Sequence, residues 1–267
     1  MKAYAAIFRM RFINTLQYRA AAFAGLATQF AWGFMEIFAF DAFFRSNPGS
    51  FAMSFSETVT YIWIQQAFLA LFMMWFWESD IAESISDGAI AYEMIRPVDL
   101  YGKWFCHASA NRVARAVLRC APILIAACLV PEPYRITVPD SAALWLMSLS
   151  SAVLGAAVVV SFSMLMYISL FFTMSPMGVR TIVSVTADFL AGAIIPVPFF
   201  PQPYRRIAEL LPFAAMQNMP LRIFSGNLKG EEALHGILLQ AFWLMTLFAL
   251  GRYMMRKALK KVIVQGG

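Results

Sequence analysis

The sequence predicts an all-α, polytopic membrane protein with six transmembrane helices. Of its 267 residues, 61% are apolar and only 13% are charged, and the mean hydropathy is +0.66. Soluble domains are about half apolar and about a quarter charged, so a soluble globule of this length could not cover so much apolar surface. The same composition excludes a disordered chain, and three unevenly spaced cysteines exclude a disulfide scaffold.

The stretch from Met1 to Tyr18 predicts a helix ahead of the spans. Its basic residues Lys2, Arg9 and Arg11 alternate with apolar side chains that the helical period places on one side, namely Tyr4, Ile7, Phe8, Phe12 and Leu16. This pattern favours an amphipathic helix at the inner membrane interface. The alternative is an early start of the first span.

Three charge-poor stretches in the first half of the chain approach the roughly 20 residues that a membrane crossing requires. The first runs from Ala20 to Phe44, and the second fills the uncharged stretch between Glu57 and Glu78. Only 12 residues separate Arg119 from Glu132, so the third span has to include the turns from Arg112 to Arg119. The limits of the third span therefore stay open.

The second half of the chain predicts three more spans. The 39 uncharged residues from Ser141 to Val179 would form a helix roughly 58 Å long at about 1.5 Å per residue, which exceeds one crossing. The sequence Ser-Pro-Met-Gly at 175–178 offers a break, so a fourth span ends near Thr173 and a fifth runs from Val179 to Phe199. The sixth fits the 19 uncharged residues between Glu232 and Arg252.

Small side chains line one side of the fourth predicted span. Ser151, Gly155 and Val159, with Ala152 and Ala156 beside them, allow another helix to approach closely. We therefore expect helix packing along this stripe.

The basic residues orient the spans, because Lys and Arg concentrate on the cytoplasmic side of membrane proteins. With both termini inside, 15 of the 21 basic residues fall in cytoplasmic segments and 6 in outer segments. The net charge of +6 then reflects membrane orientation, and nucleic acid is not an expected partner.

The segment between the second and third spans predicts a structured cytoplasmic module. It holds six of the 15 acidic residues, namely Glu78, Asp80, Glu83, Asp87, Glu93 and Asp99. Ile81 and Ile85 are four residues apart, which predicts a short amphipathic helix ending at Gly88. A second short segment runs from Ala89 to Ile95 and ends before Pro97. Such a module suits capture by a soluble partner; the alternative is a solvated loop with ordinary charges.

The outer segment 198–230 combines apolar runs that are too short to span, such as 207–216, with five prolines, namely Pro198, Pro201, Pro203, Pro212 and Pro220. Irregular backbone at membrane depth requires protein or a wet cavity around it. We therefore expect a pair of short helices that are either re-entrant or lie on the surface.

Two groups of motifs carry a resemblance to a known family. Asp87-Gly88-Ala89-Ile90 leads into Met94-Ile95-Arg96-Pro97-Val98-Asp99 after the second span, and Pro198-Phe199-Phe200-Pro201, Leu211-Pro212-Phe213 and Pro220 precede the sixth. Over essentially its whole length the chain resembles the permease subunits of ABC-2-type ABC transporters, in particular the six-span bacterial ABC-2 family transporter proteins.

The resemblance implies a single transmembrane domain, 1–267, in a bacterial inner membrane, with both termini cytoplasmic. Two permease subunits, identical or related, would form an export path in contact with membrane lipids, and two ATPase subunits would bind ATP and Mg²⁺. The chain contains no G-x-x-x-x-G-K-[ST] sequence, so we expect it to be no enzyme and to hold no cofactor.

The resemblance also implies which residues couple the permease to its ATPase. The module after the second span corresponds to a coupling helix, and the residues expected to dock it are Ile81, Glu83, Ile85, Asp87, Gly88, Glu93, Met94, Arg96 and Pro97. Charged side chains would set the orientation of docking, while Ile81, Ile85 and Met94 would supply buried contact.

Charged residues inside the predicted spans are candidates for a translocation path, because a charge in the bilayer has to face protein or water. Asp188 lies near the middle of the fifth span, and Glu36 lies toward the outer end of the first. Arg115 and Arg119 share a helical face with Arg112 in the third. The alternatives are a packing role for Asp188, interface anchoring for Glu36 and snorkelling to lipid phosphates for the arginines.

Catalytic and metal-binding patterns are absent from the sequence. His107 and His235 lie far apart, with no Cys or carboxylate cluster at ligand spacing, so no metal site is expected. Two other functions stay open: a secondary transporter driven by an ion gradient, and a membrane scaffold or assembly factor that transports nothing.

Overall fold

The structure of the protein is a computed structural model that describes residues 2–17, 19–46, 51–173 and 176–260. Over these residues it contains no strand, which confirms the all-α prediction. The helices are α1 Lys2–Leu16, α2 Arg19–Ser46, α3 Phe55–Ala67, α4 Leu69–Phe72, α5 Ser79–Ser86, α6 Ile90–Met94, α7 Leu100–Leu129, α8 Ala142–Ser169, α9 Pro176–Leu190, α10 Tyr204–Leu210, α11 Pro212–Met216, α12 Asn218–Phe224 and α13 Gly230–Leu259, with a 3₁₀ turn at Val197–Phe199.

Among the described residues, the two helices α8 and α13 are long and apolar enough to cross a membrane. They pack along each other, and Gln240 of α13 joins them by donating to the carbonyl oxygen of Ser151 at 3.1 Å and accepting from its hydroxyl at 2.8 Å. Both helices match uncharged runs that the sequence assigns to the fourth and sixth spans.

The second and fifth predicted spans are not single long helices, which corrects the sequence-based expectation. α3 ends at Ala67, a single turn follows in α4, and residues 73–78 are not helical. α9 ends at Leu190 rather than near Phe199, and 15 residues cover only about 22 Å. The chain then turns at Gly192, whose φ of +81° and 3.1 Å hydrogen bond from the Tyr61 hydroxyl leave no room for a side chain.

The N-terminal helix α1 packs along α7. All five apolar residues that the sequence places on one side of α1 are half-buried. The opposite side is not purely polar, because the exposed fractions of Met10 and Ile13 are 62% and 46%. The helix itself is therefore confirmed, while its place at the membrane interface stays a prediction.

The short helices α11 and α12, which lie in the segment predicted to be outside, pack between α3, α8 and α13. Their buried side chains include Ala215, Met216 and Asn218, so these helices enter the bundle instead of lying on its surface. Close packing occurs at Gly155 of α8, where an added Cβ would lie 2.3 Å from the carbonyl oxygen of Met216. The expected packing at this stripe is thus present, and it involves the outer segment as well as α13.

An ion pair braces the outer segment. Arg222 of α12 is buried, and its guanidinium donates to Glu209 of α10 at 2.8 Å and to Asn227 at 2.7 Å. Burial lowers the pKa of Arg222 below its ordinary value, while the neighbouring Glu209 acts in the opposite direction. The brace joins α10 to the loop after α12.

Candidate functional site

The module predicted after the second span consists of α5, α6 and the turn between them. Apolar side chains anchor it to the rest of the subunit. Ile81 of α5 and Ile90 of α6 are each 3% exposed and lie in one cluster with Tyr101, Trp104 and helices α8 and α13. Ile85 packs partly against the same cluster. Ile81 therefore faces the interior of its own subunit, which corrects the expectation that it contacts a partner.

Glu93 also serves the subunit itself. Its carboxylate pairs with Lys103 and accepts a 3.1 Å hydrogen bond from the indole N–H of Trp104. These bonds tie α6 to the first turns of α7, which Asp99 caps by accepting from the N–H of Gly102 at 2.9 Å. The glycine predicted to end α5, Gly88, adopts a φ of +74°, which lets the chain turn into α6.

The opposite side of the module is exposed and carries apolar and charged groups together. We call it the docking face, after the role that the resemblance implies for this module, and it consists of Glu83, Asp87, Tyr92, Met94, Ile95 and Arg96. Tyr92 and Ile95 are 74% and 81% exposed. In the part of the chain that the structure describes, Glu83, Asp87 and Arg96 have no ion-pair partner. Gly88 and Pro97 border this face and are exposed too.

The non-helical segment 73–78 links α4 to the module, and buried polar groups satisfy its backbone. Arg112 is 2% exposed and donates to the carbonyl oxygens of Met73 at 2.8 Å and Phe76 at 3.2 Å. Asp188 of α9 accepts from the N–H of Met74 at 2.8 Å. The Tyr167 hydroxyl accepts from the N–H of Glu78 at 3.0 Å. Backbone that leaves a helix inside a bundle needs such partners.

A cavity of about 600 Å³ opens between α1, the segment 73–78 and α7. Its lining combines Arg11 of α1 and Asn111, Arg115 and Arg119 of α7 with the cluster Glu78, Asp80 and His107. The Arg115 guanidinium also lies over the Phe76 ring, 5.5 Å from its centroid. We call this space the polar cavity.

A second cavity of about 410 Å³ lies between α2, α3, the start of segment 73–78 and α7, and we call it the amide cavity. Four of its lining residues have a buried polar atom without a hydrogen-bond partner, namely Gln29, Glu36, Gln66 and Arg119. Unsatisfied polar atoms cost free energy in a folded chain unless a ligand or water binds them. The amide cavity thus presents four buried polar atoms to which a hydrogen-bonding group can bind.

Three of the four predicted path residues line a cavity, and the fourth, Asp188, has a structural contact instead. Arg115 lines the polar cavity, Glu36 lines the amide cavity, and Arg119 lines both. Asp188 lines neither of these two cavities and instead holds the backbone of Met74.

Sequence reasoning missed the amide side chains that surround the path candidates. Gln29, Gln65 and Gln66 line the amide cavity, and Asn111 lines the polar cavity. The available signal was their position, because amides are rare in stretches that otherwise hold only apolar residues.

Comparison with known proteins supplies the last observation. A search of curated proteins found no match to this chain. A family model described as "ABC-2 family transporter protein" matches residues 30–266, which is most of the chain. Proteins of this family are membrane-embedded, and their membrane components generally work with ATPase subunits. The chain therefore belongs to the ABC-2 transporter family.

Proposed function

We propose that the chain is the permease subunit of an ATP-driven exporter, and that its docking face binds a cytoplasmic ATPase. The observation that carries the proposal is the composition of that face. Exposed side chains of Tyr92 and Ile95 occur in the same short module as Glu83, Asp87 and Arg96, whose charges have no ion-pair partner among the described residues. Exposed apolar and aromatic residues close to charged ones are typical of a protein interface.

The internal contacts of the module support a mechanical role. Ile81 and Ile90 fix the module to α7, α8 and α13, and Arg112 fixes the adjoining segment 73–78 to α7. A displacement of the docking face would therefore move packed helices rather than a loose loop. Such rigid-body motion is how conformational changes pass between subunits and domains.

In this proposal the polar and amide cavities are parts of one translocation path. Arg119 lines both cavities and so stands between them. The chain would cross a bacterial inner membrane six times with both termini in the cytoplasm, the broken second and fifth stretches being shielded by their neighbours. A second permease subunit, identical or related, would complete the path.

The chemistry of ATP belongs to the partner in this proposal. The sequence has no P-loop, so ATP and Mg²⁺ would bind to the ATPase, and this chain would act as no enzyme and hold no nucleotide. Export as the direction of transport rests on the family resemblance alone.

The test is identification and quantification of the ABC ATPase that co-purifies from the native membrane in mild detergent, with tagged permease as bait. Asp87→Lys and Arg96→Glu should each reduce the bound ATPase about tenfold while the permease still reaches the membrane, because reversed charges oppose docking. Glu132→Lys and Arg135→Glu are matched controls, since both residues are exposed but lie between α7 and α8. Unchanged ATPase binding in both docking-face variants would contradict the proposal.

The two other functions predict different outcomes. A secondary transporter would bind no ATPase and would lose transport when the ion gradient is collapsed. A scaffold would bind the ATPase but would move no substrate when ATP is added to reconstituted vesicles. Transport that requires ATP and survives collapse of the gradient supports the exporter.

A further inference from the structure

Three potential metal ligands meet where the segment 73–78 enters α5. Glu78 ends the segment, Asp80 lies in the first turn of α5, and His107 projects from α7. The ligand atoms of these residues all lie within 4.8 Å of one another. His107 Nε2 is 3.5 Å from Asp80 Oδ2 and 3.9 Å from Glu78 Oε2.

The state of the histidine is an independent indication that a ligand binds here. His107 is only 4% exposed, and its Nε2 atom is buried without a hydrogen-bond partner. A buried ring nitrogen that lies within 4 Å of two carboxylates without a hydrogen bond to either is poorly satisfied. A cation between the three groups would satisfy it.

We propose that Glu78, Asp80 and His107 bind one divalent transition-metal ion, of which Zn²⁺ is the best match. Imidazole and carboxylate ligands both suit Zn²⁺, whose bonds of about 2.0–2.2 Å place neighbouring ligand atoms roughly 3.3 Å apart. His107 Nε2 lies 3.5 and 3.9 Å from the two carboxylates, and all three ligand atoms lie within 4.8 Å of one another, so a small inward movement of the carboxylates completes that spacing. The polar cavity, which all three residues line, leaves the remaining coordination position open to water.

The surroundings support the ligand set. The Asn111 amide N–H donates to Glu78 Oε2 at 2.6 Å, and the Asn111 amide oxygen accepts from the Thr15 hydroxyl at 2.6 Å. These two bonds fix the position of the Glu78 carboxylate. Arg11 is the competing cation, because it lies 3.2 Å from Asp80 Oδ2. That pair is 36% and 47% exposed, and exposed ion pairs are weak enough for a metal to displace.

The bound metal would join α5 directly to α7. The module is otherwise held to α7 by apolar contacts and by the ion pair between Glu93 and Lys103. These contacts involve residues that follow Asp80 in the chain. A metal at its first turn would fix the angle at which the module leaves the segment 73–78. Metal availability would then set how firmly the module is connected to the bundle.

Zinc binding by the purified, detergent-solubilised full chain tests the proposal, with an affinity tag that contains no histidine. The wild-type chain should retain one Zn²⁺ after equilibrium dialysis. Asp80→Asn and His107→Gln should weaken binding by at least about tenfold. Arg11→Gln should strengthen it, because it removes the competing cation.

Two control variants keep the result specific. His235 is the other histidine and is exposed, so His235→Gln should leave zinc binding unchanged. Cys106→Ser should also leave it unchanged, although Cys106 precedes the proposed ligand in the chain. Substitution of the buried His107 can disturb folding. Asp80→Asn is therefore the decisive variant, because Asp80 is half-exposed.

Three results would overturn the proposal: wild-type chain that binds no Zn²⁺, Asp80→Asn that binds it normally, or a loss of binding in Cys106→Ser. The measurement uses no ATPase, so its failure would leave the proposed function untouched. Conversely, failure of ATPase docking would not affect the metal site.

Discussion

Asp188 accepts a hydrogen bond from the backbone N–H of Met74, which lies 114 residues earlier in the chain. Arg112 donates to the carbonyl oxygen of the preceding residue, Met73, so an acid and a base from two helices hold one short stretch of backbone. Two charged residues that the sequence suggests for transport, Arg112 and Asp188, therefore hold the backbone at the break after α4. Together with Tyr167, Arg112 and Asp188 satisfy the backbone of segment 73–78 where it leaves the helix inside the bundle.

Removal of the Asp188 acceptor should destabilise the fold. In Asp188→Ala the buried N–H of Met74 loses its partner, which costs about 1–3 kcal/mol. Asp188→Asn keeps an oxygen that can accept the same bond and is the matched control. Thermal unfolding in detergent should show a lower midpoint for the alanine variant than for the asparagine variant. Equal midpoints would mean that the bond contributes nothing.

Arg112 should tolerate substitution less well than Arg115. Arg112→Gln leaves carbonyl oxygens of the segment 73–78 without a buried charged donor, and such hydrogen bonds contribute about 1.5–3 kcal/mol each. Arg112→Lys should restore only part of the stability, because an ammonium cannot reproduce the fork of a guanidinium. Arg115→Gln removes one ring contact and should cost less than about 1 kcal/mol. A comparison of the three unfolding midpoints checks this order.

The parts of the fold that local sequence determines were predictable. Uncharged runs identified α8 and α13, and Gly88 marked the turn after α5, because each signal is contained in neighbouring residues. The break after α4 was not predictable, since it depends on Arg112 and Asp188, which are distant in sequence.

The candidate site shows the same division between local and long-range information. The spacing of Ile81 and Ile85 correctly predicts an amphipathic helix, but spacing cannot tell whether its apolar side faces a partner or its own subunit. Contacts of Ile81 with α7, α8 and α13 decide that question. The meeting of His107 with Glu78 is equally long-range, which is why the sequence predicts no metal site.

Substitution of Gly155 by alanine should destabilise the fold. A methyl group there would lie 2.3 Å from the carbonyl oxygen of Met216, and backbone cannot move aside as a side chain can. Overpacking of this kind typically costs about 1–3 kcal/mol. Gly236→Ala is the control, because its methyl group would meet the flexible side chain of Met219 at 3.0 Å. Gly155→Ala should lower the unfolding midpoint clearly more than Gly236→Ala, and the reverse order would contradict the packing described for α11.

Arg119 should affect transport more than stability. Its Nε atom is buried without a hydrogen-bond partner, so the fold gains little from that atom, while its position between the polar and amide cavities places it on the proposed path. Arg119→Gln should therefore lower ATP-dependent transport in vesicles about tenfold, which corresponds to about 1.4 kcal/mol in the barrier. The unfolding free energy should change by less than about 1 kcal/mol.

Glu36 allows a second test of the proposed path. Of the two cavities it lines the amide cavity, and one of its buried oxygens has no hydrogen-bond partner. Glu36→Gln should reduce transport in the same way, whereas Glu57→Gln, which removes an acid that caps α3 away from both cavities, should not. ATPase co-purification should stay normal in all three variants, because the docking face is unchanged. If Arg119→Gln lowers stability but leaves the transport rate per folded molecule intact, the two cavities are not joined into a path at this residue.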